Sequence, residues 1–395
     1  MCYNGKLIPI KEKNAIKRCW QKRIIMLDLR IHTSKLMGLD QDLVLHGGGN
    51  TSMKEGDTIY VKASGFNLDT IDERGFAPVS TCKLLDLLQF ESLSDTDMVR
   101  LQREAMCDQS FANPSIEAVL HALIPFKYVD HTHADAIVTI SNSKKGKKIL
   151  SKLYGKNFII VPYVMPGFVL AKAIHALTCK ADWAKLKGII LMHHGVFTFD
   201  DDGMKSYKKM LKVVKVAEDY LCKHTKITHK KAKQTHDLEK VKALISKIKG
   251  YEVEMVVNES KVAQTFASLK DVSLSQKGVL TPEHIIRTKR TPVVLSEDYE
   301  KEITKYIKKY IKYFEKHQTT EMMLSPAPNW AVLKGFGTVS FGKTLKEAEI
   351  IRDINEHTMK AMLRAEQLGG YQSLNAKDSF AMEYWELEQA KLRKA

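Results

Sequence analysis

Residues 130–135 read DHTHAD, with two histidines two positions apart between two aspartates, and they follow the sequence FKYV. The surrounding segment 127–141 is rich in Val, Ile and Thr, which predicts a β-strand. On a strand, residues two apart share a face with their side chains about 7 Å apart, whereas on a helix they point roughly 200° away from each other. Strand geometry therefore lets His131 and His133 reach one metal ion.

A catalytic metal site needs a third ligand, and the segment GIILMHHGVFTF at 188–199 offers one. This segment predicts a strand, a glycine turn and a second strand, with a helix from Asp202 to about His224 after it. His193 and His194 would point to opposite faces, and His194 is the one beside the turn. Three histidines with an open coordination position are typical of catalytic zinc. The alternative is a hydrogen-bonded histidine pair at a sheet edge.

An acidic side chain near such a site could act as an acid or a base, and the segment NPSIEAVLHALIPF at 113–126 supplies one. It predicts a short helix that Asn113 caps, with Pro114 in the first turn and Pro125 at the end. Glu117 lies on a different face from the apolar residues of this helix. The alternative is that Glu117 is a solvated charge at a helix start.

Glycines and lysines outline the organisation of the chain. The stretch LVLHGGGNTS at 43–52 places three glycines after an apolar run, and TIYVKASG at 58–65 predicts a strand that ends in a Ser-Gly turn. The lysine-rich segment 224–242 predicts a linker. We therefore expect two domains, covering residues 1–224 and 225–395.

The second half contains a segment similar to the first-half hairpin. LKGFGTVSF at 333–341 resembles MHHGVFTF at an offset of 142 residues, and each segment precedes a predicted helix. This similarity suggests a degenerate partial repeat. The later segment has Phe336 at the position of His194, so any metal site is expected in the first half only.

The composition excludes several classes of protein. The formal net charge is +16 over 395 residues, but the lysine clusters are not interleaved with aromatic residues, so nucleic-acid binding is not expected. No run of eighteen apolar residues and no N-terminal leader is present, which predicts a cytoplasmic protein without a membrane span. The first 25 residues predict an amphipathic helix, and the six scattered cysteines predict free thiols.

The segment EHIIRTK at 283–289 brings His284, Arg287 and Lys289 close together. Such a cluster could clamp an anion. A solvated basic turn gives the same pattern, so these residues stay outside the candidate catalytic set. No Gly-x-Gly-x-x-Gly follows any predicted strand, so oxidation with a nicotinamide cofactor is not expected.

The ordered motifs HGGGNTS, VKASG, NPSIE, DHTHADA and HHGVFTF resemble those of the class II (zinc-dependent) aldolase/adducin superfamily. They look most like the aldolase part of bifunctional rhamnulose-1-phosphate aldolase/dehydrogenases, and the likeness covers nearly the whole chain. It implies a three-layer α/β fold with a mixed, largely antiparallel sheet between helices, plus an α/β C-terminal region, assembled as a homo-tetramer. Longer relatives continue into a dehydrogenase domain, which is not expected here because the chain stops at KLRKA.

The resemblance also assigns roles to residues of this sequence. The zinc ligands fall on His131, His133 and His194, the catalytic glutamate falls on Glu117, and a further histidine falls on His121. The positions that bind substrate phosphate fall on Asn50, Thr51, Ser64, Gly65 and Ser115. At position 116 this chain has isoleucine where some relatives have a second serine.

The implied reaction uses zinc or another divalent metal to cleave a ketose 1-phosphate. Rhamnulose 1-phosphate is the expected substrate, with dihydroxyacetone phosphate and L-lactaldehyde as products. Two alternatives remain open at this point. One is a dehydratase or epimerase acting on a similar sugar phosphate, and the other is a non-catalytic interaction protein like adducin. Retention of three histidines and a glutamate argues against the second, because burying polar groups costs free energy.

Overall fold

A computed structural model describes residues 2–3, 6–7 and 26–393 of the chain, with side chains described for 26–389. Residues 8–25, which hold most of the predicted N-terminal helix, lie outside the described residues. Strands β1 (Cys2–Tyr3) and β2 (Lys6–Leu7) form an antiparallel pair. Residues 26–38 are helical and are called α1.

The larger sheet has seven strands in the order β5-β4-β3-β6-β9-β8-β7. The pairings of β3 with β4, β3 with β6 and β4 with β5 are antiparallel. The strands are β3 (Asn50–Glu55), β4 (Thr58–Lys62), β5 (Phe76–Ser80), β6 (Tyr128–Thr132), β7 (Phe158–Val161), β8 (Gly188–Leu191) and β9 (Gly195–Asp200). The accompanying helices are α2 (Thr81–Asp86), α3 (Asp95–Glu104), α4 (Ala118–Leu123), α5 (Asp135–Ser141), α6 (Gly146–Tyr154), α7 (Phe168–Thr178) and α8 (Gly203–His224).

The smaller sheet has four strands in the order β10-β13-β12-β11, of which only β11 and β12 pair in parallel. These strands are β10 (Glu254–Asn258), β11 (Val293–Leu295), β12 (Trp330–Leu333) and β13 (Gly337–Gly342). The helices of this part are α9 (Leu238–Lys249), α10 (Lys261–Ala267), α11 (Ile285–Thr288), α12 (Tyr299–His317), α13 (Leu345–Gln367), α14 (Ala376–Glu383) and α15 (Glu386–Arg393). The predicted α/β fold with a mixed sheet and helices is confirmed.

The chain divides into two compact units. The first contains the described residues up to Thr132 together with Pro166–Gly188 and Phe197–Lys212. The second contains His133–Met165, Ile189–Val196 and the described residues from Val213 onward. The predicted domain boundary at residue 224 and the predicted partial repeat stay predictions.

The strand predicted for 127–141 is wrong in its second half. Strand β6 ends at Thr132, and the remaining Val, Ile and Thr residues form helix α5, which begins at Asp135. The described residues Ala136 to Ser141 are all buried in this helix. Residues with a high preference for strands adopt a helix here because burial of both faces decides the conformation more strongly than intrinsic preference does.

Candidate active site

Three imidazoles come together at the end of strand β6. His131 lies on the strand, His133 follows just after its last residue, and His194 ends the turn between β8 and β9. The ring nitrogens that these histidines offer lie within 4.8 Å of one another. The structure therefore brings together the three residues predicted as metal ligands, although His133 stands beyond the strand and not on it.

His131 is held by its neighbours in the first unit. It pairs with Asn50 across the sheet, and its ring stacks on Phe197 with the ring centroids 4.0 Å apart. Nε2 of His131 lies 3.5 Å from Oε2 of Glu117. Since His131 is fully buried, stacking and strand pairing leave its ring little freedom to rotate.

His133 and His194 lie together in the second unit. Their ring centroids are 4.8 Å apart in an edge arrangement. Nδ1 of His133 is 2.6 Å from Oε1 of Glu283. Burial opposes ionisation of Glu283, but the neighbouring imidazoles, His133 first, outweigh it and hold the pKa of that carboxyl well below its usual range.

Glu283 was not among the predicted site residues, because the pattern of the segment EHIIRTK draws attention to its cations. The structure does not support the anion clamp considered for His284, Arg287 and Lys289, because Lys289 already has an acidic partner. That lysine is buried, lies 3.7 Å from the carboxylate of Glu383, and sits over the ring of Tyr310. The alternative of a solvated basic turn is wrong for the same reason, and His284 is buried as well.

Glu117 stands at a helix start, but the helix begins later than predicted. Helix α4 starts at Ala118, and Asn113 does not cap it. The preceding residues pair with the end of β4 instead. The Ser64 N–H donates to the Asn113 carbonyl, and the Ser115 N–H donates to the Lys62 carbonyl, at 2.8 and 2.9 Å. This pairing keeps residues 113–115 extended.

The late helix start places Glu117 inside the protein. Only 6% of its surface is exposed, so the alternative of a solvated charge at a helix start is wrong. Its Oε2 accepts a hydrogen bond from Nδ2 of Asn50 at 2.6 Å. The structure thus places a buried carboxylate beside the imidazole of His131, an arrangement that can transfer a proton.

The Asn50 amide organises a buried polar network in the first unit. Its Nδ2 also donates to Oγ of Ser115 at 3.2 Å, and its Oδ1 contacts Nε2 of His121. Nδ1 of His121 is 2.8 Å from the Ser52 hydroxyl. Because Asn50 Oδ1 can only accept, Nε2 of His121 carries the proton and Nδ1 accepts from Ser52.

His121 is uncharged in this network. Burial lowers its pKa to about 3, against the opposing influence of Glu117. A neutral imidazole that is hydrogen-bonded at both nitrogens fixes the orientation of the Asn50 amide. His121 therefore supports Glu117 through Asn50, which the sequence alone did not indicate.

The predicted phosphate-binding residues are only partly gathered. Asn50 and Ser115 are in contact, and Ser64 is exposed on the turn next to the extended segment that leads to Ser115. Gly65 follows in that turn with φ of +89°. The side chain of Thr51 points to the opposite face of β3, where its hydroxyl is 2.8 Å from that of Ser34.

The two aspartates of DHTHAD have structural partners. Asp130 is fully buried in the first unit, 2.6 Å from the Arg30 guanidinium, and it accepts from the Ser206 hydroxyl at 2.5 Å. Asp135 lies in the second unit, 2.6 Å from Nδ1 of His357. Each aspartate of the motif thus contacts a basic side chain, Arg30 for Asp130 and His357 for Asp135.

Gly49 must be glycine for strand β3 to approach β6. Its φ is +63°, and an added Cβ would lie 2.7 Å from the carbonyl oxygen of His131. We expect Gly49→Ala to lower the free energy of unfolding by at least about 1 kcal/mol more than Gly56→Ala does. Gly56 is the matched control, because its φ is +57° and a Cβ there would meet nothing within 4 Å. Urea unfolding of both variants measures the difference, and equal losses would contradict the steric argument.

The donor set fits a divalent metal. Three imidazole nitrogens within 4.8 Å of one another are a ligand set that suits zinc and related divalent ions. The contact of His133 with a carboxylate is the outer support that metal-binding histidines commonly have. The residues present therefore fit a bound divalent metal.

Comparison with known proteins gives matches along most of the chain. Residues 29–221 match the sequence model described as class II aldolase and adducin N-terminal domain, and residues 232–392 match the one described as aldolase class II, second domain. The chain is 29% identical over 397 residues to a Bacillus subtilis (strain 168) protein named uncharacterized oxidoreductase YuxG. That alignment covers 92% of this chain and 57% of the relative, so the chain spans little more than half of the relative's length.

Solved structures show similar partial matches. An N-terminal class II aldolase domain of a Thermoplasma acidophilum protein is 38% identical, with a TM-score of 0.46, covering 49% of this chain and 93% of that one. L-fuculose-1-phosphate aldolase from Thermus thermophilus is 14% identical, with a TM-score of 0.33, covering 50% of this chain and 95% of that one. Both TM-scores are below 0.5, so the family assignment rests on the two sequence models.

Within the described part of the chain, no helix is both long and apolar enough to cross a bilayer.

The matches to the N-terminal and the second domain of one family follow each other along the chain in the order that their names give. The chain belongs to the class II aldolase and adducin family.

Proposed function

We propose that this protein is a metal-dependent aldolase that cleaves a ketose 1-phosphate, with rhamnulose 1-phosphate as the substrate. The products would be dihydroxyacetone phosphate and L-lactaldehyde. The observation that carries the proposal is the cluster of His131, His133 and His194 with Glu117 against His131. Family membership supports a lyase-type enzyme, and the choice of rhamnulose 1-phosphate rests on the motif resemblance.

His131, His133 and His194 would hold the divalent ion, which we propose to be zinc. When bound, the ion supplies Lewis-acid stabilisation for the negative charge that develops on substrate oxygens. Glu117 would take the proton from the hydroxyl on the fourth carbon as the bond between the third and fourth carbons breaks, and would then give a proton to the third carbon of the dihydroxyacetone phosphate fragment. Its hydrogen bond from Asn50 fixes the carboxylate for this transfer, and its burial excludes water from it.

The substrate phosphate would bind beside Glu117. In this proposal it contacts the side chains of Asn50, Ser64 and Ser115 and the backbone N–H groups of the glycine-rich loop, with Gly65 allowing the turn. Asn50 and Ser115 support the assignment because they already contact each other next to the carboxylate. Thr51 contributes no side chain to this site, since its hydroxyl contacts Ser34.

The remaining assignments rest on the family resemblance for the assembly, on the lysine-rich segment 224–242 for the domain boundary and on composition for the location. We propose a homo-tetramer in the cytoplasm, with a domain boundary at residues 224 and 225 and with active sites at subunit boundaries. Light scattering on the purified protein measures the assembly. A monomer at working concentration would contradict this part of the proposal without affecting the metal site.

The direct test is incubation of the purified protein with a panel of ketose 1-phosphates, with coupled detection of dihydroxyacetone phosphate. We expect rhamnulose 1-phosphate to yield dihydroxyacetone phosphate and L-lactaldehyde in equal amounts, and activity to disappear on chelation and return with zinc. Loss of water without a triose product would identify a dehydratase instead. Purified protein without about one divalent ion per chain, and inactive after zinc addition, would favour an adducin-like interaction protein.

A further inference from the structure

We infer that Glu283 is a positioning residue for the metal ligand His133. The part of the chain that matches the second domain of the family thereby completes the metal site. Both residues belong to the second unit, 150 positions apart in sequence, and Oε1 of Glu283 is 2.6 Å from Nδ1 of His133. Glu283 lies within residues 232–392, which match the second domain of the family. The inference rests on the proposed function, because it gives Glu283 its role through His133.

The contact determines which nitrogen of His133 serves the ion. A histidine ligand binds metal through one ring nitrogen, and its other N–H commonly donates to a carboxylate, which sets the tautomer and the ring orientation. Nδ1–H of His133 donates to Glu283, so Nε2 is the nitrogen assigned to the ion. The charge of the carboxylate also makes the imidazole a stronger ligand.

The Glu283 carboxylate is itself held in place. The hydroxyl of Thr281 donates to the same Oε1 at 2.8 Å. Two residues earlier, the carbonyl of Val279 accepts from the hydroxyls of Tyr371 and Ser373, each at 2.6 Å. The segment that leads to Glu283 is therefore fixed by hydrogen bonds at Val279 and Thr281, and this supports a positioning role for Glu283.

A buried amide connects this loop to the turn that carries another ligand. Asn142, which is fully buried, donates through Nδ2 to the carbonyl of Leu280 at 3.0 Å. Its Oδ1 is 2.9 Å from Nδ1 of His193, the residue before His194. Asn142 thus connects, by hydrogen bonds, the segment that leads to Glu283 and the turn that carries His194. His133 and His194 therefore belong to one hydrogen-bonded network within the second unit.

The test compares Glu283→Ala and Glu283→Gln in the full chain. Zinc affinity is measured by competition with a chelator, and the absorption spectrum of the cobalt-loaded protein reports the ligand field. We expect Glu283→Ala to weaken zinc binding on the order of 10- to 100-fold. Glu283→Gln should lose less zinc affinity than Glu283→Ala, because its amide oxygen still accepts from Nδ1–H of His133. Both variants should shift the absorption bands of the cobalt-loaded protein.

Glu252→Gln is the matched control, because its carboxylate pairs with Lys242 at 3.0 Å and is 83% exposed. It should keep the zinc affinity and the cobalt spectrum unchanged. If Glu283→Ala does not fold, the role of Glu283 is tested with the isosteric Glu283→Gln, through the absorption spectrum of its cobalt-loaded form. Unchanged affinity and spectrum in the folded Glu283 variants, with binding lost in His194→Ala, would overturn the role of Glu283 alone. Unchanged affinity in His194→Ala would overturn the metal site and this inference together.

Discussion

Replacing His131 with alanine is expected to remove both the bound metal and the lyase activity. The substitution deletes one of three nitrogens that lie within 4.8 Å of one another. The loss of metal affinity should exceed the roughly 10- to 100-fold that changes outside the ligand shell cause. Metal content after gel filtration and turnover of the best ketose 1-phosphate measure the two effects.

Two further variants separate ligand loss from damage to the fold. His131→Gln leaves a smaller cavity against Phe197 than alanine does, but still lacks the imidazole. His32→Ala is the matched control, because His32 is an exposed histidine on helix α1. Folded His131 variants that retain about one ion per chain and full turnover would show that the metal does not bind here.

Glu117→Gln is expected to retain the metal and to lower kcat by roughly 10²- to 10⁴-fold, the range that a general acid or base contributes. The substitution keeps the shape of the side chain, and the new amide oxygen can still accept from Asn50. It removes the group that takes up and releases the proton. Metal analysis and steady-state kinetics on the same preparation distinguish this result from that of His131→Ala.

The control for this variant is Glu104→Gln. Glu104 is exposed and pairs with Arg100 on helix α3 at 2.8 Å. Surface pairs of this kind contribute little to stability, so activity should be unchanged. A fully active Glu117→Gln protein would assign the proton transfer to a different group.

The three histidines became metal-ligand candidates through local patterns. The spacing of His131 and His133 and the glycine turn after His194 are short-range features, and in the structure the ring nitrogens of these residues lie within 4.8 Å of one another. The hairpin of β12 and β13 follows from an equally local signal, the glycine turn in LKGFGTVSF. Such features depend on a few neighbouring residues, which a single sequence displays directly.

Predictions failed where distant strands decide the local conformation. The helix predicted from Asn113 begins only at Ala118, because Ser115 pairs with Lys62 of β4. The strand predicted through Ser141 ends at Thr132, because the following residues are buried on all sides as a helix. In both cases a tertiary contact outweighs the intrinsic preference of the segment.

The sequence by itself determined the family and the α/β class, and it made three histidines and Glu117 candidates for the site, because all of these depend on residue types at short, fixed spacings. Only the tertiary structure decided that Glu117 is buried against Asn50, and that Glu283 reaches His133 from 150 residues away. Both contacts join segments that are remote in sequence. These contacts depend on how the whole chain packs, and no local sequence pattern predicts them.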